Sequence, residues 1–138
     1  HRDVKPGNLM LDFSGRIKLM DFGLAGTARG AKIVGGTPRY ASPEQLLGED
    51  SGVSGDIYSC GVVLYELFVG ELPFDVKGKN LKQLAELQRS QTPRPPREVK
   101  PELPKPLEAI ILACIAREVF DRPRSIREVA AVLHEIRA

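Results

Sequence analysis

"HRDVKPGN", residues 1–8, sets an acid, a lysine and an asparagine close together at Asp3, Lys5 and Asn8. Thirteen residues past Asn8 a second acid opens "DFG", Asp21 to Gly23. Between them, "NLMLDFSGRIKLMD" (residues 8–21) reads as two short apolar strands joined by a turn at Ser14-Gly15. The chain runs out along one strand and back along the other, so Asn8 and Asp21 fall on adjoining elements. A short hairpin carrying a polar cluster is therefore the first expectation, and everything downstream reads mainly as helix.

"SPEQLL" (residues 42–47) has the marks of a helix start. Ser42 can cap, Pro43 suits the first helical position, and Gln45 completes a capping box. "DIYSCGVVLYELFVG" (residues 56–70) is apolar almost all the way round, which predicts a helix buried on every side and ended by Gly70. Leu81 to Leu87 make an amphipathic helix. Leu107, Ile110, Ile111 and Cys114 follow helical spacing, as do Ile126, Val129, Ala130 and Leu133. Ser125 with Glu128 is a second capping box at the start of the last helix. From Leu24 to Tyr40 neither period holds, and a loop of 17 residues is expected there.

A chain of 138 residues with 42% apolar and 28% charged residues is one ordinary domain with a real core. A net charge of +2 and the lack of an aromatic-basic stripe argue against a nucleic-acid partner. The longest apolar stretches, around Ile57–Leu64 and Ala109–Ala116, are shorter than the ~18 residues of a membrane helix, so no membrane segment is expected. No signal-peptide pattern is present. Cys60 and Cys114 lack metal-ligand spacing and read as buried free thiols, with a disulfide or redox pair as the alternative. Free thiols fit a reducing, cytoplasmic compartment. Residues 91–106 hold six of the eleven prolines and read as a stiff surface connector, or alternatively a proline-motif ligand. From Lys77 to Lys105 eight basic residues meet three acidic ones, a local excess of +5, read as a solvated basic face.

The motifs "HRDVKPGN", "DFG", "GTPRYASPE" (residues 36–44), "DIYSCG" (residues 56–61) and "RP" (residues 122–123) occur in that order. Together they resemble the C-terminal, large lobe of the protein kinase domain over essentially the whole chain. The style of "GTPRYASPEQ" and the 24-residue span from Asp21 to Glu44 are similar to bacterial Ser/Thr kinases. The resemblance implies an α+β, mainly helical large lobe whose short β-hairpin carries the catalytic and metal-binding loops. It also implies phosphoryl transfer from ATP, with Mg2+, to Ser/Thr hydroxyls of protein substrates.

Each residue type suits that chemistry. A carboxylate beside the acceptor hydroxyl can orient it and take its proton, the role implied for Asp3. Lys5 offers a cation to the transferring phosphate. Mg2+ wants hard oxygen ligands, which the Asn8 amide and Asp21 carboxylate supply. By resemblance, Met10 matches a position under the adenine ring, and His1 and Phe22 match packing residues. Thr37 matches the threonine that contacts the catalytic acid and lysine in Ser/Thr members. Glu44 and Arg122 match a buried ion pair, and Asp56 matches the residue that holds the catalytic loop backbone.

Two departures matter. Gly7 stands where members favouring basic peptides often carry Glu. No glycine-rich phosphate loop, strand lysine or partnering glutamate helix occurs, so residues 1–138 are expected to be a partial kinase domain. Its missing partner would be the N-terminal lobe. The chain alone should then bind ATP weakly, and without the helix that normally precedes the catalytic loop its central helix should be left with an exposed apolar face. A kinase-fold scaffold that binds partners without catalysis is the alternative function.

Overall fold

The computed structural model describes residues 1–21 and 38–137. The chain is mostly helical, with one two-stranded sheet among the described residues. Strands β1 (Leu9–Leu11) and β2 (Ile17–Leu19) are antiparallel, with Leu9 opposite Leu19 and Leu11 opposite Ile17. Asp12 shapes the turn: its Oδ1 accepts the Ser14 hydroxyl at 2.6 Å and the Ser14 and Arg16 amides at 2.9 and 3.0 Å. The Ser14 hydroxyl, then the Arg16 amide, hold the Asp12 carboxyl below its ordinary range. Gly15 takes the left-handed conformation (φ 79°) that the turn needs.

Helices α1 (Pro43–Leu46), α2 (Gly52–Val69), α3 (Leu81–Ser90), α4 (Pro96–Val99), α5 (Lys105–Cys114) and α6 (Ile126–Arg137) follow. The box predicted on α1 is present, with the Ser42 hydroxyl accepting Gln45 N–H and the Gln45 side chain accepting Ser42 N–H. Gly70 ends α2 at φ 90°, where an L side chain would be strained. Tyr58, Val62, Tyr65 and Val69 form one stripe of α2, packed on Leu107, Ile111 and Ile115 from the α5 segment. The helices approach closely at Gly61, where an added Cβ would lie 2.5 Å from the Cys114 Cβ.

Four expectations change. First, α2 is not buried on every side: Val53, Leu67 and Phe68 are exposed, because α5 and α6 cover only the opposite stripe. Second, α2 has 18 residues and is long and apolar enough, by length and composition alone, to cross a membrane. Its core stripe of Tyr58, Val62 and Tyr65 is buried in the helical body instead. Third, the proline-rich stretch is more than a surface connector. It contains α4, buries Pro96, and its Arg94 carbonyl accepts the Tyr65 hydroxyl at 2.7 Å. Fourth, the Glu128 carboxylate reaches past Ser125 to the Arg124 amide at 3.4 Å. The loop expected from Leu24 lies, as far as residue 37, outside the described residues.

Both thiols are free; Cys114 is buried and Cys60 half-buried. Burial pushes the Cys114 thiol up to about 12 and raises Cys60 as well. Thiols so displaced are poor nucleophiles.

Candidate active site

The site is built at the open end of the hairpin. Met20 N–H donates to the Asn8 carbonyl at 2.7 Å, which extends the strand pairing by one step to set Asn8 opposite Met20, and Asp21 follows as the next residue at this end of the hairpin. Ahead of β1, Pro6–Asn8 forms one 3-10 turn, closed by Asn8 N–H to the Lys5 carbonyl at 3.0 Å. That turn folds Asn8 back on Asp3. The Asn8 Nδ2 donates to the Asp3 carbonyl at 2.7 Å and to Asp3 Oδ2 at 3.0 Å. An acceptor pair on Asp3 fixes which end of the amide is nitrogen, so Asn8 Oδ1 faces away from Asp3.

Lys5 Nζ also approaches Asp3 Oδ2, at 3.3 Å. One oxygen of the Asp3 carboxylate is thus held twice, while Oδ1 accepts no hydrogen bond from the described residues. Both side chains are partly open to solvent, Asp3 at 32% and Lys5 at 43% exposure. A carboxylate anchored through one oxygen leaves the other open to a further donor.

His1 braces the loop from the other side. Its Nδ1 accepts Asp3 N–H at 3.2 Å and its Nε2 lies 2.7 Å from the Met20 carbonyl. These partners require the neutral tautomer protonated on Nε2. His1 therefore ties the segment of Asp3 to the strand end of Asp21 through one ring.

The backbone at Arg2 and Asp21 is left-handed, with φ of 69° and 58°. Non-glycine residues hold that conformation at a cost of about 1–2 kcal/mol, and such strain concentrates at functional sites. Among the described residues, two side chains bond the Arg2 backbone. Asp56, in the second turn of α2, accepts Arg2 N–H at 2.9 Å through Oδ1 and the His1 amino nitrogen at 2.9 Å through Oδ2. Gln45 of α1 donates from Nε2 to the Arg2 carbonyl at 3.2 Å. Gln45 has no site role in the sequence; its capping motif accounts for only one end of its amide.

Glu44 and Arg122 meet as a bidentate pair, at 2.5 and 3.1 Å. The guanidinium also reaches the Ala116 carbonyl at 2.9 Å and the Ser54 hydroxyl at 3.2 Å, and stacks 4.9 Å above the Tyr58 ring. Burial alone would raise the Glu44 carboxyl, but hydrogen bonds from Arg122 and its charge outweigh this and hold it below its usual value. Nearby, the Tyr40 hydroxyl donates to Glu66 at 2.5 Å; burial and then Glu66 push the phenol up to about 12, so it stays a donor. Met10 is largely exposed. Thr37 and Phe22 lie outside the described residues.

An amide oxygen, two carboxylates and an ammonium at one hairpin end can hold a hard cation and an anionic phosphate. Among the described residues no group of three His, Cys, Asp or Glu side chains could cage a metal alone. That donor set fits Mg2+, which keeps waters and phosphate oxygens as its remaining ligands.

Residues 1–134 match the protein kinase domain, and the chain belongs to that family. It is 38% identical to the serine/threonine-protein kinase PrkC of Bacillus subtilis, over 95% of this chain and 21% of that protein. It is 35% identical to a probable serine/threonine-protein kinase of Corynebacterium efficiens, over 96% of this chain and 22% of that one. Against the serine/threonine-protein kinase PknA of Mycobacterium tuberculosis H37Rv the identity is 34%, over 100% of this chain and 32% of PknA. The chain thus spans roughly a fifth to a third of the length of these curated relatives.

Proposed function

We infer that residues 1–138 form the large-lobe part of a serine/threonine protein kinase that moves the γ-phosphoryl group of ATP to protein hydroxyls. The observation that carries this is the asymmetric anchoring of Asp3: Oδ2 bound by Asn8 and Lys5, Oδ1 left to the acceptor. Asp3 Oδ1 orients the Ser or Thr hydroxyl and takes its proton as the new phosphorus–oxygen bond forms and ADP leaves. Lys5 sits close enough to Asp3 to follow charge onto the transferring phosphate. Asn8 Oδ1 and the Asp21 carboxylate would hold Mg2+. When bound, the ion neutralises phosphate charge. Thr37 would meet the Asp3–Lys5 pair, and Met10 the adenine face.

Exposed apolar Met10 supports a covering partner, the ATP-binding N-terminal lobe, and exposed Leu67 and Phe68 on α2 support a further helix, the one that precedes the catalytic loop in the family. Free thiols support a reducing, cytoplasmic setting. The test uses the full-length protein with labelled ATP, Mg2+ and a generic protein acceptor. Phosphoserine or phosphothreonine should form with the wild type and not with Asp3→Asn. Mg2+-ATP binding without any transfer would overturn the enzyme reading and leave a scaffold.

A further inference from the structure

The basic excess between Lys77 and Lys105 has no part in the transfer chemistry, yet some of it is gathered in one place. Arg39, Glu71, Leu72 and residues 74–79 line a cleft of about 910 Å3. Arg39, Lys77 and Lys79 all face this space, and none of them takes part in an ion pair among the described residues. Glu71 and Asp75 line it as well, so three cations against two carboxylates leave the lining at a net +1, with Asp75 Oδ1 accepting the Lys77 amide at 3.0 Å. Leu72 and buried Phe74 supply an apolar wall. Next to Arg39, the Tyr40 hydroxyl donates to Glu66 of α2.

Resting on the kinase reading, we propose that this cleft selects protein substrates with an acidic segment flanking the acceptor. Substrate carboxylates meet Arg39, Lys77 and Lys79, and an adjoining apolar side chain lies on Leu72 and Phe74. An exposed ion pair is worth about two- to five-fold, and with a net lining charge equal to one cation the preference should be about three-fold at low salt.

Two serine-centred peptides, one flanked by glutamates and one by alanines, test this on the full-length protein. Binding is read by fluorescence anisotropy and transfer by kcat/KM. The glutamate peptide should be favoured about three-fold, less as salt rises, and the ratio should fall to one or below in Lys77→Gln/Lys79→Gln. A wild-type ratio of one, or a ratio unchanged in the double variant, overturns the proposal. Preferential binding without transfer to either peptide would sustain the cleft and sink the kinase reading.

A second, independent observation concerns Gln45. Its Oε1 accepts Ser42 N–H at 3.0 Å, closing the α1 capping box, while its Nε2 donates to the strained Arg2 at 3.2 Å. The geometry points to Gln45 as a positioning residue that holds the backbone next to Asp3. Gln45→Glu keeps the capping acceptor but loses the donor to Arg2. On the kinase reading it should keep its unfolding temperature and KM for ATP while kcat falls about ten-fold, since small displacements of a catalytic group are costly. Amide hydrogen exchange in residues 2–4 of the full-length variant should rise, a readout independent of transfer. Unchanged exchange overturns the proposal. Faster exchange with no transfer by the wild type would instead refute the kinase reading.

Discussion

Arg122→Met should cost the domain about 3–5 kcal/mol, the usual consequence of leaving a buried charge without its partner. The structure explains the size. The Arg122 side chain is fully buried and Glu44 nearly so, at 0% and 9% exposure. Methionine fills most of the volume but returns none of the donors. It strands the Glu44 carboxylate and removes the bonds to Ala116 and Ser54. For a domain of ~150–250 residues, each kcal/mol shifts the midpoint by about 2–4 °C, so a fall of roughly 10 °C is expected in thermal unfolding. Arg122→Lys should fall between, because an ammonium keeps the charge and loses the planar fork. In Glu44→Leu/Arg122→Met much of the loss should be recovered, since no charge remains buried.

The pH dependence separates this from simple loss of packing. In the wild type the Glu44 carboxyl is depressed below its ordinary 4.5, so its contribution is present above that value and lost as pH falls through the folded value. Without Arg122, burial should raise the same carboxyl. The variant then gains relative stability as Glu44 protonates and loses it as pH rises through the raised value. The gap between the two proteins should be widest near neutrality and should shrink on acidification. A shift under about 3 °C at pH 7, or a gap that is constant with pH, would refute the reasoning.

Three further outcomes are expected. Asp3→Asn in the full-length protein should cut transfer by about 10²–10⁴-fold while ATP still binds, whereas Asp21→Ala should weaken Mg2+-dependent nucleotide binding measured by calorimetry. Gly61→Ala would set a methyl 2.5 Å from the Cys114 Cβ and 2.8 Å from Ile115 Cγ2, so unfolding should come about 1–3 kcal/mol sooner. Between Gly23 and Gly36 the only hydroxyl is Thr27, early in the segment, and activity should need no phosphate there. Phosphopeptide mapping and Thr27→Ala check this: a stoichiometric phosphate whose loss abolishes activity would contradict it.

How much of this was legible in the sequence depended on the range of the interactions involved. The hairpin, the Ser42–Gln45 box and the end of α2 at Gly70 are local features, and residue type with spacing foretold them. Burial around α2 was less legible, because its composition is apolar on all sides while the faces differ only in which helix covers them. Val62 and Tyr65 meet α5, whereas Leu67 is left exposed. Glu44 and Arg122 are 78 positions apart, and only resemblance paired them in advance. Nothing local in "SPEQ" shows that the far end of Gln45 reaches residue 2.

The left-handed backbone at Arg2 and Asp21 is the least legible feature, since neither is a glycine and side-chain type gives no warning of it. Its persistence needs compensation of the order of the 1–2 kcal/mol it costs. At Arg2 that compensation is visible in two bonds, one from Asp56 and one from Gln45, made by helices that are themselves locked to the core. Strain in the loop and burial in the body are therefore one arrangement. The packed helices hold Arg2 in a conformation it would otherwise leave, and that conformation carries Asp3, the next residue, to its place beside Lys5 and Asn8. Mutations that loosen α1 or α2 should thus reach Asp3 through Arg2 without touching any substrate.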